Sequence, residues 1–350
     1  MKNLIVIDVE IYTNYFLLSA LNTSNNKVKH FEFHEDSPLN RPALTKLMQN
    51  ATTVSFNGNN FDLPIIACAL QGWTVKRLKQ LCDKIIKSNL PSWSICRDFK
   101  ITIPANWDHI DLIEVAPGQA SLKTYGGRLH APTIQDLPIE PDALITPEQR
   151  ESMRDYCIND LETTWLLYCK LEKQIALRVS MSEQYGVDLR SKSDAQIAET
   201  VIKSELHKAT GRQYKKPELP DGVTFKYQDP KIVSFATDQL KDIFKKVLAI
   251  DFELGLNGSV KMPALLAKTK IKIGNGEYNM GIGGLHSCEK AQLVVAGKGY
   301  HLLEIDVASY YPNIILQQSL APKSMGEPFL KVYQSIVDTR IKAKRSGDKV

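Results

Sequence analysis

Leu4–Ile7 is a short apolar run, the pattern of a strand buried on both faces. Tyr15–Leu21 is a second apolar stretch, Asn22–Asn26 a polar turn, and Lys27–Phe33 alternates polar and apolar residues as a half-exposed strand does. Three strands with short connections predict an antiparallel meander. Pro42–Asn50 then reads as a helix, Thr52–Phe56 as a buried strand, and His109–Ile113 as a further short strand. Between them, Ile65, Ile66, Cys68, Ala69 and Leu70 predict a helix entered near Asp62, and residues 88–108, richer in Pro and Trp, read as loop. Thr146-Pro147-Glu148-Gln149 is a capping-box sequence, with Thr at the cap, Pro first and Gln third. The helix it opens runs through Met153, Tyr156, Asp160, Thr164, Leu167, Tyr168 and Leu171.

The second half is patterned less sharply. Ser193–Lys208 reads as a helix, and 211–231, polar and Pro-rich around Lys215-Lys216-Pro217, as a linker or loop. Lys231–Phe252 has the spacing of an amphipathic helix. Lys270–Ile273 and Tyr278–Met280 around Gly274-Asn275-Gly276 predict a hairpin. Tyr300–Asp306 reads as a strand ending in an acid, and Tyr333–Arg345 as a basic helix. The expected class is α/β, a mixed sheet with flanking helices followed by a smaller α+β part.

Composition narrows this. The 350 residues suffice for two or three domains, with 43% hydrophobic and 24% charged residues. No apolar run approaches the ~20 residues of a membrane span, and the apolar stretch after Lys2 is too short for a secretory signal. Cysteines 68, 82, 96, 157, 169 and 288 form no CxxC pair, which argues for reduced thiols in a cytoplasm and against zinc. Net charge is +5, and from residue 307 onward seven Lys/Arg face three acids, a surplus of four. That tail suits a phosphate-rich partner or, equally, a solvated helix face.

Candidate chemistry enters with the acids. Residues i and i+2 of a strand share a side, so Asp8 and Glu10 aim at one spot beyond the apolar run. Two carboxylates there repel unless a cation lies between them; a strand fading into a polar turn is the plainer alternative. The sharp turn Asn57-Gly58-Asn59-Asn60 leads to Phe61-Asp62, where the acid could cap a helix or join the pair. Asp111 on the next strand reads as structural or peripheral. Tyr156 and Asp160, four apart, lie on one helical face that is otherwise apolar, where an ionised Asp needs a partner. Two divalent metals would satisfy four acids converging on one point.

Asp8-Val9-Glu10, Asn57-x-x-x-Phe61-Asp62 and Tyr156-x-x-x-Asp160 resemble, in order and spacing, the three exonuclease motifs of DEDDy 3′→5′ exonucleases, in particular the proofreading domain of family B DNA polymerases. The resemblance implies a ribonuclease-H-like fold. It implies two-metal phosphodiester hydrolysis, with Asp8, Glu10 and Asp160 as main ligands, Asp62 on the second metal, Tyr156 orienting the attacking water, and Asn57 and Phe61 on the DNA strand. Hard oxygen ligands imply Mg²⁺ or Mn²⁺. Lys123 and Arg128, in Ser121–Arg128, could contact strand phosphate, or the segment could be a plain glycine turn.

Two later segments extend the resemblance. Gly281-Ile282-Gly283-Gly284 is similar to the Tyr-x-Gly-Gly segment that touches template–primer in family B enzymes. Asp306-Val307-Ala308-Ser309-Tyr310-Tyr311-Pro312-Asn313-Ile314 resembles their motif A, with Tyr310 for Leu and Asn313 for Ser. By carry-over Asp306 would hold catalytic metals, Ser309 and Tyr310 lie under the incoming dNTP, and Tyr311 exclude a 2′-hydroxyl. Tyr333–Arg345 resembles the first fingers helix; it follows motif A so closely that no protein-priming insertion fits. The expected division is an exonuclease domain over 1–180, a helical and linker region over 181–280, and a partial palm with the start of the fingers over 281–350. No Asp-Thr-Asp hairpin follows, so the chain is expected to be the front part of a longer polymerase or half of a split enzyme, completed by a C-terminal polymerase polypeptide. Expected partners are the 3′ end of single-stranded DNA and primer–template, in the cytoplasm, that of a host if phage-encoded. A stand-alone DEDD nuclease on DNA or RNA, and a non-catalytic primer–template-binding subunit, are the other readings.

Overall fold

The computed structural model describes residues 3–88, 90–215, 222–255 and 259–347. By contacts it divides into two compact units, Met1–Gln213 with Ile315–Val350, and Tyr214–Ile314.

The first unit is α/β. Its five-stranded mixed sheet has the order β3-β2-β1-β4-β5, with β1 Asn3–Ile11, β2 Phe16–Asn22, β3 Lys27–Phe33, β4 Ala51–Ser55 and β5 Asp108–Asp111. The meander β1–β3 is antiparallel, as expected, whereas β1 with β4 and β4 with β5 run parallel. Strand alternation sorts β1 between two layers. Ile5, Ile7, Val9 and Ile11 pack with Leu44 and Met48 of α1 (Arg41–Asn50), with α2 (Asp62–Leu70) and with Leu78 and Leu81 of α3 (Val75–Lys87). On the opposite face Val6 packs against Leu161 of α6 (Gln149–Lys170). Asp8 and Glu10 continue that face in parity.

Register makes the opening they occupy. Pairing of β1 with β4 stops at Val6–Val54, while pairing with β2 continues through Asp8–Ser19 and Glu10–Leu17 to Ile11. The last third of β1 therefore has one free flank, at the carboxyl ends of the parallel strands, where α/β sheets commonly place ligands.

Several elements depart from sequence expectation. Residues 92–98, expected as loop, form helix α4 (Ser92–Asp98), because Ile95 is buried in the core behind α3. Leu122–Arg128, for which a glycine turn was one reading, is helix α5, capped by the Ser121 hydroxyl accepting from Thr124 N. The box at Thr146 forms by half: its N–H donates to Gln149 Oε1 at 3.0 Å, and the helix proper begins at Gln149. After α6 come α7 (Glu172–Tyr185) and α8 (Asp194–Thr210), the latter with a complete Ser193–Gln196 capping box. Leu189, Ile197 and Val201 form a satellite core with Ile336 of the basic C-terminal helix Glu327–Ser346, which starts six residues earlier than Tyr333, with Pro328 in its first turn.

The second unit carries β6 (Thr224–Lys226) paired with β7 (Asp251–Glu253), and a sheet of order β10-β9-β8 from Lys270–Ile273, Gly276–Met280 and Leu285–Ser287. The expected hairpin is thus present as β8–β9. Its helix α9 spans Asp238–Ala249 rather than 231–252, because Thr237 caps it by accepting from Leu240 N and β7 starts at Asp251. A short helix α10 (Ala264–Ala267) precedes β8, and α11 covers Tyr310–Gln317. The expected strand over 300–306 does not form. None of the described residues pairs with it and Leu303 and Ile305 are exposed; an extended segment without a ladder partner has nothing to hold it as a strand. Of the expected linker, residues 216–221 lie outside the described residues.

Candidate active site

Three elements meet at the free flank of β1. Asp8 and Glu10 come from the strand, and Asp160 from α6, which crosses that face. One carboxylate oxygen from each of Asp8, Glu10 and Asp160 falls within 4.8 Å of the others, a spacing that one cation can bridge. The i, i+4 relation puts Tyr156 beside Asp160, near enough for its hydroxyl to act against the rise of the Asp160 carboxyl.

Asp62 arrives by the turn after β4. Asn57 adopts a left-handed backbone with φ of 67°, and Asp111 fixes the turn by accepting from Asn57 N at 2.8 Å, Asn59 N at 2.9 Å and Ile113 N at 3.1 Å. Asp111 is thus structural, as its position on β5 suggested. Gly58 is required here: an added Cβ would lie 1.8 Å from Ser55 Oγ and 2.9 Å from His109 Nε2. Asp62 does not cap α2, whose first turn has no side-chain cap. Its carboxylate is buried, and Oδ1 has no hydrogen-bond partner. Phe61 packs partly into the core, and Asn57 Oδ1 accepts from Asn60 Nδ2 at 2.9 Å.

Electrostatics follow from crowding. Burial, then the Asp160 charge, pushes the Asp8 carboxyl up to about 7. Glu10 is raised well above its ordinary value by burial and then by Asp8, Asp160 and Asp62, with the Lys123 ammonium acting the other way. Burial and the Asp8 charge raise Asp62 likewise. Burial also raises Asp160, opposed by its hydrogen bonds from Tyr156 and Asn159. Tyr156 is held far above the ordinary phenol range by burial and by Asp160 and Glu10, so it stays a neutral donor. Asp8, Glu10 and Asp160 could together hold a hard cation, and the orphaned, buried Asp62 Oδ1 lies outside that group of three; all these donors are oxygens, the type that suits Mg²⁺ or Mn²⁺ over zinc.

Two supporting residues, Cys157 and Asn159, escaped the sequence reading, and a third, Lys123, was read there only as a possible phosphate contact. Cys157 Sγ donates to Asp8 Oδ2 at 3.1 Å. Asn159 Nδ2 donates to Asp160 Oδ1 at 3.3 Å, and its own Oδ1 accepts from Thr133 Oγ1 at 2.8 Å. Lys123, the second residue of α5, lies 5.9 Å from the Tyr156 ring centre and 3.0 Å from Asp136. The i+1 and i+3 places relative to Tyr156 were the available signal for Cys157 and Asn159. Arg128 lies near the Tyr125 ring, at 5.8 Å.

The remaining candidates belong to the second unit and are described by themselves. Gly281 N donates to Gly284 O at 2.7 Å, closing a turn between β9 and β10 that holds Gly283 and Gly284. Tyr311 Oη donates to Gly283 O at 3.3 Å, so the glycine turn and the start of α11 meet. Tyr310 and this turn share the lining of an apolar cavity of about 560 Å³. Ser309 has a left-handed backbone, φ 48°, just before α11. Asp306 is exposed and belongs to no acidic cluster among the described residues.

No family model matches the sequence, and no curated protein matches it. Among solved structures the chain is similar to the family B DNA polymerase of the hyperthermophilic archaeon Pyrobaculum calidifontis, at 13% identity and a TM-score of 0.37. The match covers 64% of this chain and 32% of that one, so the chain spans about a third of the polymerase. At that score the likeness carries no argument about activity.

Proposed function

We propose that the first unit is a 3′→5′ exonuclease that hydrolyses single-stranded DNA with two divalent cations. The observation that supports it most is the convergence of Asp8, Glu10 and Asp160 within 4.8 Å, beside the buried and unpartnered Asp62 Oδ1. These residues would hold Mg²⁺ or Mn²⁺: Asp8, Glu10 and Asp160 as the main ligands, and Asp62 toward the second ion. When bound, the ions supply Lewis-acid stabilisation at the attacking and departing oxygens of an in-line displacement.

The chain's own groups do the rest. Tyr156, kept protonated by burial and by its acidic neighbours, orients the attacking water through its hydroxyl. Cys157 and Asn159 fix the rotamers of Asp8 and Asp160 through hydrogen bonds. Lys123 offsets part of the acidic charge, which would otherwise repel a phosphodiester. Asn57 and Phe61, on the turn that delivers Asp62, would contact the terminal nucleotides.

Residues 281–350, on this reading, are a partial family B polymerase palm with the start of the fingers, with Asp306 as a metal ligand and Ser309, Tyr310 and Tyr311 as the dNTP site; the contact of Tyr311 with Gly283 supports a shared role for those two segments. The test for the nuclease is 5′-labelled single-stranded DNA in Mg²⁺. A ladder shortening one nucleotide at a time from the 3′ end is expected. Internal cuts, or an intact strand with folded protein, would overturn the reading.

A further inference from the structure

The basic charge of the chain is unevenly placed. Residues 73–100 hold seven Lys/Arg (Lys76, Arg77, Lys79, Lys84, Lys87, Arg97, Lys100) against Asp83 and Asp98, a surplus of five that equals the net charge of the whole chain. Part of it is neutralised: Lys79 and Lys87 both reach Asp83 and Asp142, at 2.6–3.5 Å. Lys76, Lys84 and Lys100 form no ion pair among the described residues.

Aromatic rings interleave with these cations. Arg77 stacks over Trp73 at 3.6 Å, which ties that pair into the fold. Trp93 differs. On α4 it is 67% exposed, with the Arg97 guanidinium 5.4 Å over its ring. Exposing most of an indole forgoes burial that a side chain of this size would otherwise gain. The backbone that carries the ring is anchored: its neighbours Ser94 and Ile95 are buried, and Ser92 Oγ donates to Asn60 O at 3.0 Å. Asn60 is two residues before Asp62, so the start of α4 is bonded to the turn that delivers Phe61 and Asp62 to the acid cluster.

An exposed indole flanked by a guanidinium, on an anchored helix in the most basic stretch of the chain and bonded to the turn beside the acid cluster, has the chemistry of a base-stacking platform. We propose that Trp93, with Arg97, binds a base of the single DNA strand on its way to the acid cluster, while Lys76, Lys84 and Lys100 supply the field that attracts its phosphates. The inference rests on the nuclease reading for the strand's destination, but its binding chemistry stands by itself. The indole face is the recognition element, so the platform accepts any base and needs an unpaired one, because a duplex hides its base faces.

The test is fluorescence anisotropy of a labelled, mixed-sequence oligodeoxynucleotide with the full chain in chelator, where hydrolysis is silent. Trp93→Ala is expected to weaken single-strand binding about 5- to 100-fold, and Trp93→Phe, which keeps an aromatic face, to recover most of it. Binding of the matching blunt duplex should not respond to either change. Tryptophan emission of the wild type should be quenched by the single strand, and the Trp93→Phe protein should lose that component; this readout needs no destabilising variant. Equal single-strand affinity of wild type and Trp93→Ala, or a Trp93→Phe protein as weak as Trp93→Ala, would overturn the platform. Failure of the nuclease reading would show differently, as an intact strand in Mg²⁺ with the binding pattern unchanged.

Discussion

Asp8→Asn should make the metal-free protein more stable at pH 8 while removing the proposed nuclease activity. In the folded chain the Asp8 carboxyl is raised to about 7, from 3.8, by burial and by Asp160. A raised carboxylate contributes stability in its protonated form: the contribution is full below the unfolded value and is lost as pH climbs through the folded one. About 3 units at 1.36 kcal/mol each give a ceiling of about 4 kcal/mol, spread over roughly pH 4–7. Asp8 is only partly buried, so water screens the repulsion, and about 2 kcal/mol is the expected gain for the neutral amide at pH 8. That corresponds to a rise of about 4–8 °C in the unfolding midpoint of a unit this size. The assay is differential scanning calorimetry in chelator, wild type beside Asp8→Asn, at pH 8 and pH 5. At pH 5 the advantage should shrink to less than half. Saturating Mg²⁺ should reverse the order at pH 8, because the wild type binds the ion and the variant binds it poorly. A variant equal to or less stable than the wild type at pH 8 without metal would refute the reasoning, since the acids would then be satisfied by the fold itself.

Further expectations follow from named contacts. Asp111→Ala leaves three backbone N–H groups without their carboxylate acceptor and should cost about 3 kcal/mol, read by urea unfolding, with the proposed nuclease activity falling as the turn before Asp62 loosens. Asn159→Ala should raise the Mg²⁺ concentration for half-maximal activity about 10- to 100-fold at little cost in melting temperature. Tyr156→Phe should fold normally and lower kcat about 100-fold with a smaller change in KM. Mg²⁺ at about 100 times its Kd should stabilise the wild type by about 2.7 kcal/mol and should not stabilise Asp8→Ala/Glu10→Ala.

The sheet meander was legible because its signals are local. The apolar run at Leu4–Ile7 and the alternation of Lys27–Phe33 state their strands within a few residues. The site was legible for the same reason: i, i+2 on a strand and i, i+4 on a helix each fix a face from local sequence alone. What the sequence hid depends on distant partners. Ile95 is buried behind α3, so the Pro- and Trp-containing stretch forms a helix that composition argues against. Cys157 and Lys123 take their roles from Asp8 and Glu10, more than 100 residues away in the chain. The strand expected at Tyr300–Asp306 fails for the converse reason: its local pattern is strand-like, but among the described residues no neighbour completes a ladder. Local alternation specifies a strand's faces, and pairing decides whether it exists.

The most direct measurement is the digestion of 5′-labelled single-stranded DNA by wild type and by Asp8→Ala/Glu10→Ala, in Mg²⁺ and in chelator. Stepwise shortening from the 3′ end by the wild type alone, lost in chelator, is the predicted result. Equal shortening by the double variant, or none by a folded wild type, would contradict the assignment of these acids to metal-dependent hydrolysis.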